Sequence, residues 1–483
     1  IRVRKAREAI SLAEDAYDIY MDHEGAHVEK PMAAALECVV QAHILKGDEK
    51  RALLAAEDGV RTFQDRGLKR GEASALGAKA TAQAALGEME EAVRTIEEAH
   101  VAAQELGDPW LEAQILLDVA TLNLLHKSYD NATQAAHEAI EIYQEQKDRQ
   151  GEAFAMNKLN EIALAKDDWD TCMQISLEQR AIFQELEDKS RAASCYLTIA
   201  GLTGFDGKMD EAMPMIAECV ELFQDAYDQE GEARALNFMA EFHSEMQDYD
   251  SAVEKAREMI EVLVDSGDKG REANAHRVLC NIHLKFDKPA HAVREANEAL
   301  VLVKRTMDRR AIAEYMILVS NANVAVVVQD PAAMGRGSEK ALRPAREAFK
   351  VAKTINNMPL MGAALLQVAQ VQAMNARHGE AMQAAREAIE IFRTMGDKAS
   401  EAVVVVLLAE LHVHCMSPEK ALDAANEGLA MAEEVGDDVT VGHARELIER
   451  IQGRSRVSIE AVQGMAMPTM AQSGPTPEAG PAG

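Results

Sequence analysis

The chain has 483 residues and carries 51 Lys and Arg against 81 Asp and Glu, a formal net charge of −30. A polyanion of this size repels nucleic-acid phosphates and anionic lipid surfaces, and no run of Lys or Arg is long enough to reverse that, so neither nucleic acid nor membrane is expected as a partner. Aromatic residues make up only 4% while Ala, Leu, Met and Glu abound, which is the composition of helices packed on small residues and excludes a sheet protein.

The opening stretch, "IRVRKAREAISLAEDAYDIY", has charges throughout its apolar residues and is not a signal peptide. Residues 3–17 read as a helix, and "KAREAISLAEDAYD" matches the later "KAREMIEVLVDSGD" that ends at Asp268. That later segment is the second helix of a pair, so the opening stretch is expected to be the back half of a repeat whose front half precedes it, and the chain a fragment or processed piece. No apolar stretch approaches the roughly 20 residues of a membrane span.

From Val28 onward the chain repeats itself. Val28, Leu68, Asp108, Asp148, Asp188, Asp228, Asp268 and Asp308 lie forty residues apart, and Asn357, Asp397 and Asp437 continue the series after a longer step. Five residues after each anchor stands a small residue, from Ala33 and Ala73 through Ala313 to Gly362, Ala402 and Gly442. Another follows nineteen residues later, from Ala52 and Ala92 through Cys172 to Ala381 and Ala421. A small residue held in fixed phase marks the close approach of two helices in a stacked array. Between these marks the apolar residues of "SAVEKAREMIEVLV" and "EAMQAAREAIEIF" recur at i, i+3, i+4 and i+7. Gly47-Asp48, Gly87-Glu88, Gly107-Asp108, Gly267-Asp268 and Gly396-Asp397 punctuate the helices, with Gly suited to the left-handed end of one helix and the acid to the first amides of the next.

The step from Asp308 to Asn357 is nine residues longer than the period, and "QDPAAMGRGS" (residues 329–338) is expected to form an exposed loop there. Past Arg450 the helical pattern stops. Residues 453–483, whose second half is rich in Pro, Gly and Ala, are expected to be a flexible tail. The domain expectation is thus a solenoid over residues 1–452, of about ten helix pairs plus partial repeats at both ends, followed by the tail.

This pattern resembles tetratricopeptide repeats. Ala80, Ala120, Ala200, Ala240, Ala369 and Ala409 match the family's small residue in the first helix; Ala212, Ala252 and Ala292 match the early Ala of the second helix, and Ala299 the one that follows it. The resemblance covers about residues 3–452, and the forty-residue spacing is similar to that of the long-repeat group found in kinesin light chains, cell-polarity adaptors and bacterial peptide-sensing regulators. It implies an all-α, right-handed superhelical solenoid whose first helices line a concave wall. On that alignment the wall positions lie 6, 9 and 13 residues after each anchor: Phe154, Asn157 and Glu161; Arg234, Asn237 and Glu241; Asn274, Arg277 and Asn281; Glu314, Ile317 and Asn321. An Asn amide both donates to and accepts from an extended main chain, and Arg offers a fork to a carboxylate. In similar adaptors, Asn ladders with interspersed Arg hold extended peptides. Asn157, Arg234, Asn237, Asn274, Arg277, Asn281 and Asn321 are therefore the candidate peptide-binding residues. The bland alternative is a solvated polar helix face, with Glu241 and Glu314 pairing internally with Arg277 or Arg234.

Chemistry of other kinds is not evident. The chain has no phosphate-binding glycine loop, no HExxH and no GxSxG. His412 and His414 fall on different sides of a helix, and two ligands with Cys415 are too few for a metal. Asp167, Asp168 and Asp170 sit at a turn and lack calcium-loop spacing. The six cysteines form no CxxC pair, which points to buried thiols in a reducing, cytoplasmic setting. The expected function is a non-catalytic scaffold without cofactor or metal, gripping an extended segment of a protein partner. The alternatives are a sensor array whose pitch changes with a small ligand or peptide, and a structural subunit of a large assembly.

Overall fold

The computed structural model describes residues 2–465 other than 24, 331 and 333, and the backbone alone of residues 2–8, 26, 334, 336 and 454–465. Each forty-residue period becomes two antiparallel helices because its apolar residues recur at helical spacing and its two turns carry residues that end one helix and start the next. Residues 1–308 form one unit and residues from 309 onward another. The first contains α1 (Arg2–Met21), a 3-10 turn (Ala26–Val28), α2 (Glu29–Lys46), α3 (Glu49–Arg66), α4 (Lys69–Leu86), α5 (Met89–Leu106), α6 (Pro109–Leu125), α7 (Tyr129–Glu145) and α8 (Arg149–Ala165). It continues with α9 (Trp169–Glu185), α10 (Lys189–Phe205), α11 (Met209–Asp225), α12 (Gln229–Glu245), α13 (Tyr249–Ser266), α14 (Lys269–Lys285) and α15 (Pro289–Thr306). The second contains α16 (Arg309–Gln329), α17 (Met334–Thr354), α18 (Met358–Met374), α19 (His378–Met395), α20 (Lys398–His414), α21 (Pro418–Val435) and α22 (Asp438–Met465). No strand occurs among the described residues. Within each unit consecutive helices pack in order, which is the layout of an all-α solenoid.

The turns repeat one geometry. Gly47, Gly67, Gly87, Gly107 and Gly267 take the left-handed conformation, and eleven residues other than glycine among the described ones, Tyr227 and Met307 included, do the same with φ of 51 to 61°. Each such residue costs about 1 kcal/mol, which the amide of the next residue helps offset by reaching a carbonyl of the preceding helix, as Asp228 does to Phe223 at 2.9 Å. Asp108, Asp148, Asp168, Asp188, Asp228, Asp248, Asp268, Asp397 and Asp437 then accept from amides in the first turn of the next helix. Asp48 departs from this role: its carboxylate is taken by Lys46 and Arg51.

The phased small residues are where the helices touch. Ala52, Ala92, Ala132, Cys172, Ala212, Ala252, Ala292, Ala341, Ala381 and Ala421 are all fully buried. The joints between hairpins trade volume across the contact. A Cβ on Gly71, Gly151 or Gly231 would stand 2.2 to 2.4 Å from the ring of Phe63, Tyr143 or Phe223, the aromatic that closes the preceding hairpin. Where that closing residue is Ala103, the facing position is the larger Leu111, and both sit in one core.

Two expectations change in the second unit. The extra residues near 329–338 lengthen α16 and α17 to 21 residues each. The connection is thereby cut to residues 330–333, where Asp330 Oδ1 accepts from the Ala332 amide at 3.0 Å. Gly335 and Gly337 are tolerated in the first turn of α17, so they do not hold the segment open. In addition, α16 is long and apolar enough, by length and composition, to cross a membrane. Here it packs as a core helix: Ala313, Met316, Val319, Ala322 and Val327 are buried, and Ser320 donates to the Ala341 carbonyl at 2.9 Å. At the end of the chain α22 runs to Met465, beyond the Arg450 where the periodic pattern stops, and the rest of the expected tail lies outside the described residues.

Candidate functional site

In the first unit α2, α4, α6 and α8 touch in turn, as do α10, α12 and α14, whereas no two odd-numbered helices make more than a marginal contact. A row of hairpins whose first helices stand closer together than their second helices curves toward the first. The inner side of the curve is therefore the face of the even-numbered helices, and it carries Asn157 on α8, Arg234 and Asn237 on α12, and Asn274, Arg277 and Asn281 on α14. Asn321 lies on α16 in the second unit and is half-buried there.

The residues are not equally available. Arg234 Nη2 donates to Ser194 Oγ of α10 at 2.9 Å, across neighbouring first helices, and its guanidinium lies 6.0 Å from the Phe223 ring. Arg277 turns its Nε and Nη2 onto Asn274 Oδ1 at 3.0 and 2.6 Å, one turn back on the same helix. Asn237 Nδ2 donates to Glu241 at 2.8 Å, while its Oδ1 is buried without a partner. Asn281 is exposed. Asn157 is exposed too, but its Oδ1 already accepts from Gln179 Nε2 at 2.6 Å.

The internal pairing expected of the acids does not occur. Glu241 bonds Asn237, and Glu314 pairs with Arg310 at 3.0 Å. No ion pair involves Arg234 or Arg277 among the described residues, so two exposed guanidiniums keep their charge on the inner face of a strongly acidic chain. The field of Arg234 is felt locally. Burial by itself would raise the Asp228 carboxyl, but bonds from the Ser190 hydroxyl and the Gly231 amide, with Arg234 beside it, hold it below its usual range.

Sequence patterns did not reveal what supports Asn157. Gln179 on α9 is 2% exposed, and its Nε2 also donates to the Ala153 carbonyl at 2.7 Å. Its Oε1 accepts from Asn160 Nδ2 at 3.3 Å and faces the Cys195 thiol at 3.7 Å. These contacts join three successive helices, and nothing in periodicity predicts a pairing across helices. Asp118 on α6 was also missed. Burial, then the neighbouring Glu37 carboxylate of α2, push its carboxyl up to about 7 against the pull of Lys158 on α8.

Elsewhere, Asp168 caps α9 through Thr171, and His414 stacks on His378 at 5.3 Å. No group of three potential metal ligands exists among the described residues. Cys172, Cys195, Cys219 and Cys280 are buried, and Cys38 and Cys415 are exposed. Burial pushes Cys195 up to about 11 and Cys219 and Cys280 up to about 12, so these three are protonated at neutral pH.

The family model for anaphase-promoting complex subunit 5 matches residues 13–111, 112–166, 181–246, 243–323, 340–405 and 402–454, most of the chain. The chain belongs to the anaphase-promoting complex subunit 5 family. It is thus a TPR-like repeat scaffold, similar to proteins of interaction and assembly. No curated protein matches the sequence. Among solved structures, yeast Tom70 is similar at 14% identity, over 96% of this chain and 100% of that one, with a TM-score of 0.45. A signal-transduction ATPase with a tetratricopeptide repeat sensor from Pyrococcus horikoshii is similar at 12% identity, over 78% of this chain and 55% of that one, with a TM-score of 0.46. Aspartyl phosphate phosphatase F from Bacillus subtilis is similar at 16% identity, over 64% of this chain and 82% of that one, also with a TM-score of 0.45. None of the three bears on the partners of this member of the subunit 5 family.

Proposed function

We propose that this chain is a non-catalytic, cytoplasmic interaction scaffold that holds an extended segment of a protein partner along the inner face of α8 to α14. The observation that carries the proposal is the pair Arg234 and Arg277, exposed and in no ion pair among the described residues, set among Asn237, Asn274 and Asn281. Fork-shaped donors suit a carboxylate of the segment, and the amides suit its main chain. Asn157, held by Gln179, extends the amide row; Asn321, in the second unit, is not part of this site. A family named for a subunit of the anaphase-promoting complex favours a second reading alongside the first, in which the scaffold is a structural part of a large assembly.

The test is the quadruple variant Arg234→Ala, Asn237→Ala, Arg277→Ala and Asn281→Ala, compared with the unaltered chain by quantitative mass spectrometry of proteins captured from native lysate. Matched helicity and melting are checked first, since these side chains lie outside the core. Loss of specific partners is the expected result. An unchanged partner list would mean a solvated face, and would shift the weight to assembly through other surfaces.

A further inference from the structure

Most outward-facing second helices follow the overall charge. α11 has Asp210, Glu211, Glu218, Glu221 and Asp225 and no Lys or Arg, and α21 has five carboxylates against Lys420. α17 reverses this: Arg336, Lys340, Arg343, Arg346, Lys350 and Lys353 stand against Glu339 and Glu347. Steps of three, four and three residues put Arg343, Arg346, Lys350 and Lys353 on one helix face, and all four are exposed.

That face forms one wall of a groove of about 410 Å³ between α17 and α19, with α18 beneath. The floor is apolar, made by Phe349, Leu365 and Val368, and the far wall carries Glu380 and Glu387. Arg346 bridges to Glu380 at 3.3 Å, but both are about half-exposed, and a solvated pair of this kind is readily exchanged. Within the groove Gln372 is fully buried. Its Nε2 donates to Glu380 at 2.7 Å, and its Oε1 has no partner. A buried amide oxygen without a donor is a cost that an incoming donor removes.

We propose that the α17–α19 groove is a docking site for an amphipathic helix of a partner protein, with an apolar stripe on the floor and carboxylates along the edge that faces α17. Charge complementarity selects this occupant. The apolar floor has nothing to offer a phosphate backbone, and Glu380 and Glu387 repel one. The two walls differ in sign, so they also fix which way round the helix lies. The site is separate from the inner face and stands whether or not that face binds.

The test uses the full chain and synthetic helical peptides, read by fluorescence polarisation. The first peptide has a leucine stripe with glutamates on one edge and lysines on the other; the second has the same stripe with lysines on both edges, which no orientation matches to the basic wall; the third keeps the first peptide's charges but lacks the leucines. The first is expected to bind about tenfold more tightly than the second, and the third not at all. The triple variant R346E, K350E and K353E, all at exposed positions, is expected to lose that preference and favour the second peptide. An unfolded variant cannot produce such a reversal. Equal affinity for the first two peptides would overturn the proposal, as would tighter binding to duplex DNA or to phosphatidylserine vesicles. Self-association in sedimentation that the triple variant abolishes would also overturn it, with a second copy as occupant.

Discussion

Around Arg234 and Arg277 the inner face of the first unit offers hydrogen bonds and charge, whereas the α17–α19 groove of the second unit has an apolar floor and walls of opposite sign. Both are made from the same helical hairpin. The difference lies in which helix supplies the surface. First helices are packed on two sides, so only a narrow strip is left, and polar residues on it reach one another. Second helices are packed on one side and leave a broad face. Such a hairpin therefore presents a hydrogen-bonding strip inside and a surface for side-chain anchors outside.

Two buried glutamines sharpen this comparison most. Gln179 under the inner face uses both ends of its amide, whereas Gln372 in the groove uses one. Leucine at position 179 removes the donor that fixes Asn157 and the acceptor that faces Asn160 and Cys195, at an expected cost of about 2 to 3 kcal/mol. Leucine at position 372 removes an orphaned oxygen and frees the half-exposed Glu380 to water, so stability is expected to stay within about 0.5 kcal/mol. Denaturation with hydrogen exchange at α8–α9 and α18–α19 reads both. Equal losses would mean that burial alone governs these positions and that the contrast in pairing has no energetic weight.

The next effect is electrostatic and confined to the inner face. The folded pKa of Asp118, about 7, lies above its ordinary value of 3.8. Between those two values the folded state holds a proton that the unfolded chain has released. Stability therefore falls as pH rises through this window, and the deficit is complete above 7. Asp118→Asn is expected to flatten that slope and to add about 2 kcal/mol at pH 8, less than the full shift implies because the side chain is partly exposed. Glu37, also raised by burial, contributes in the same direction and leaves some slope behind. Thermal melts from pH 4 to 8 give the answer, and an undiminished slope in the variant would assign it to other groups.

Much of this architecture was legible because it is written in residue size. The buried row from Ala52 to Ala421 recurs in phase, and phase survives in a bare string. The candidate site was legible only as positions. Aligning the first helices assigned Arg234 and Arg277 to first-helix positions, but that Arg277 folds back on Asn274, and that Glu241 serves Asn237, depends on rotamers no spacing encodes. The basic stripe of α17 was hidden for another reason. A net charge of −30 is a sum over the chain, and a search for contiguous Lys and Arg cannot see cations spaced three and four residues apart. The loop expected over residues 329–338 was drawn too long because Gly335 and Gly337 were weighed as breakers, whereas both lie in the first turn of α17.

The smallest effect concerns room on the inner face. Gly77 lies in the interior of α4, and a Cβ there would meet nothing nearer than Asp118 Oδ2 and Ile96 Cδ1, both at 3.7 Å. In contrast to Gly231, whose Cβ would strike the Phe223 ring, this glycine is not demanded by packing. Gly77→Ala is therefore expected to stabilise the chain by about 0.5 to 1 kcal/mol through helix propensity alone. The new methyl would also take water from the Asp118 carboxylate, which opposes the gain above pH 7 and not below it. The substitution should thus stabilise more at pH 5 than at pH 8, and that difference should vanish when Asp118 is already Asn, a coupling a double-mutant cycle measures directly. A pH-independent gain would separate the two residues; a loss at both pH values would show that the inner face at α4 is closed to even one methyl group.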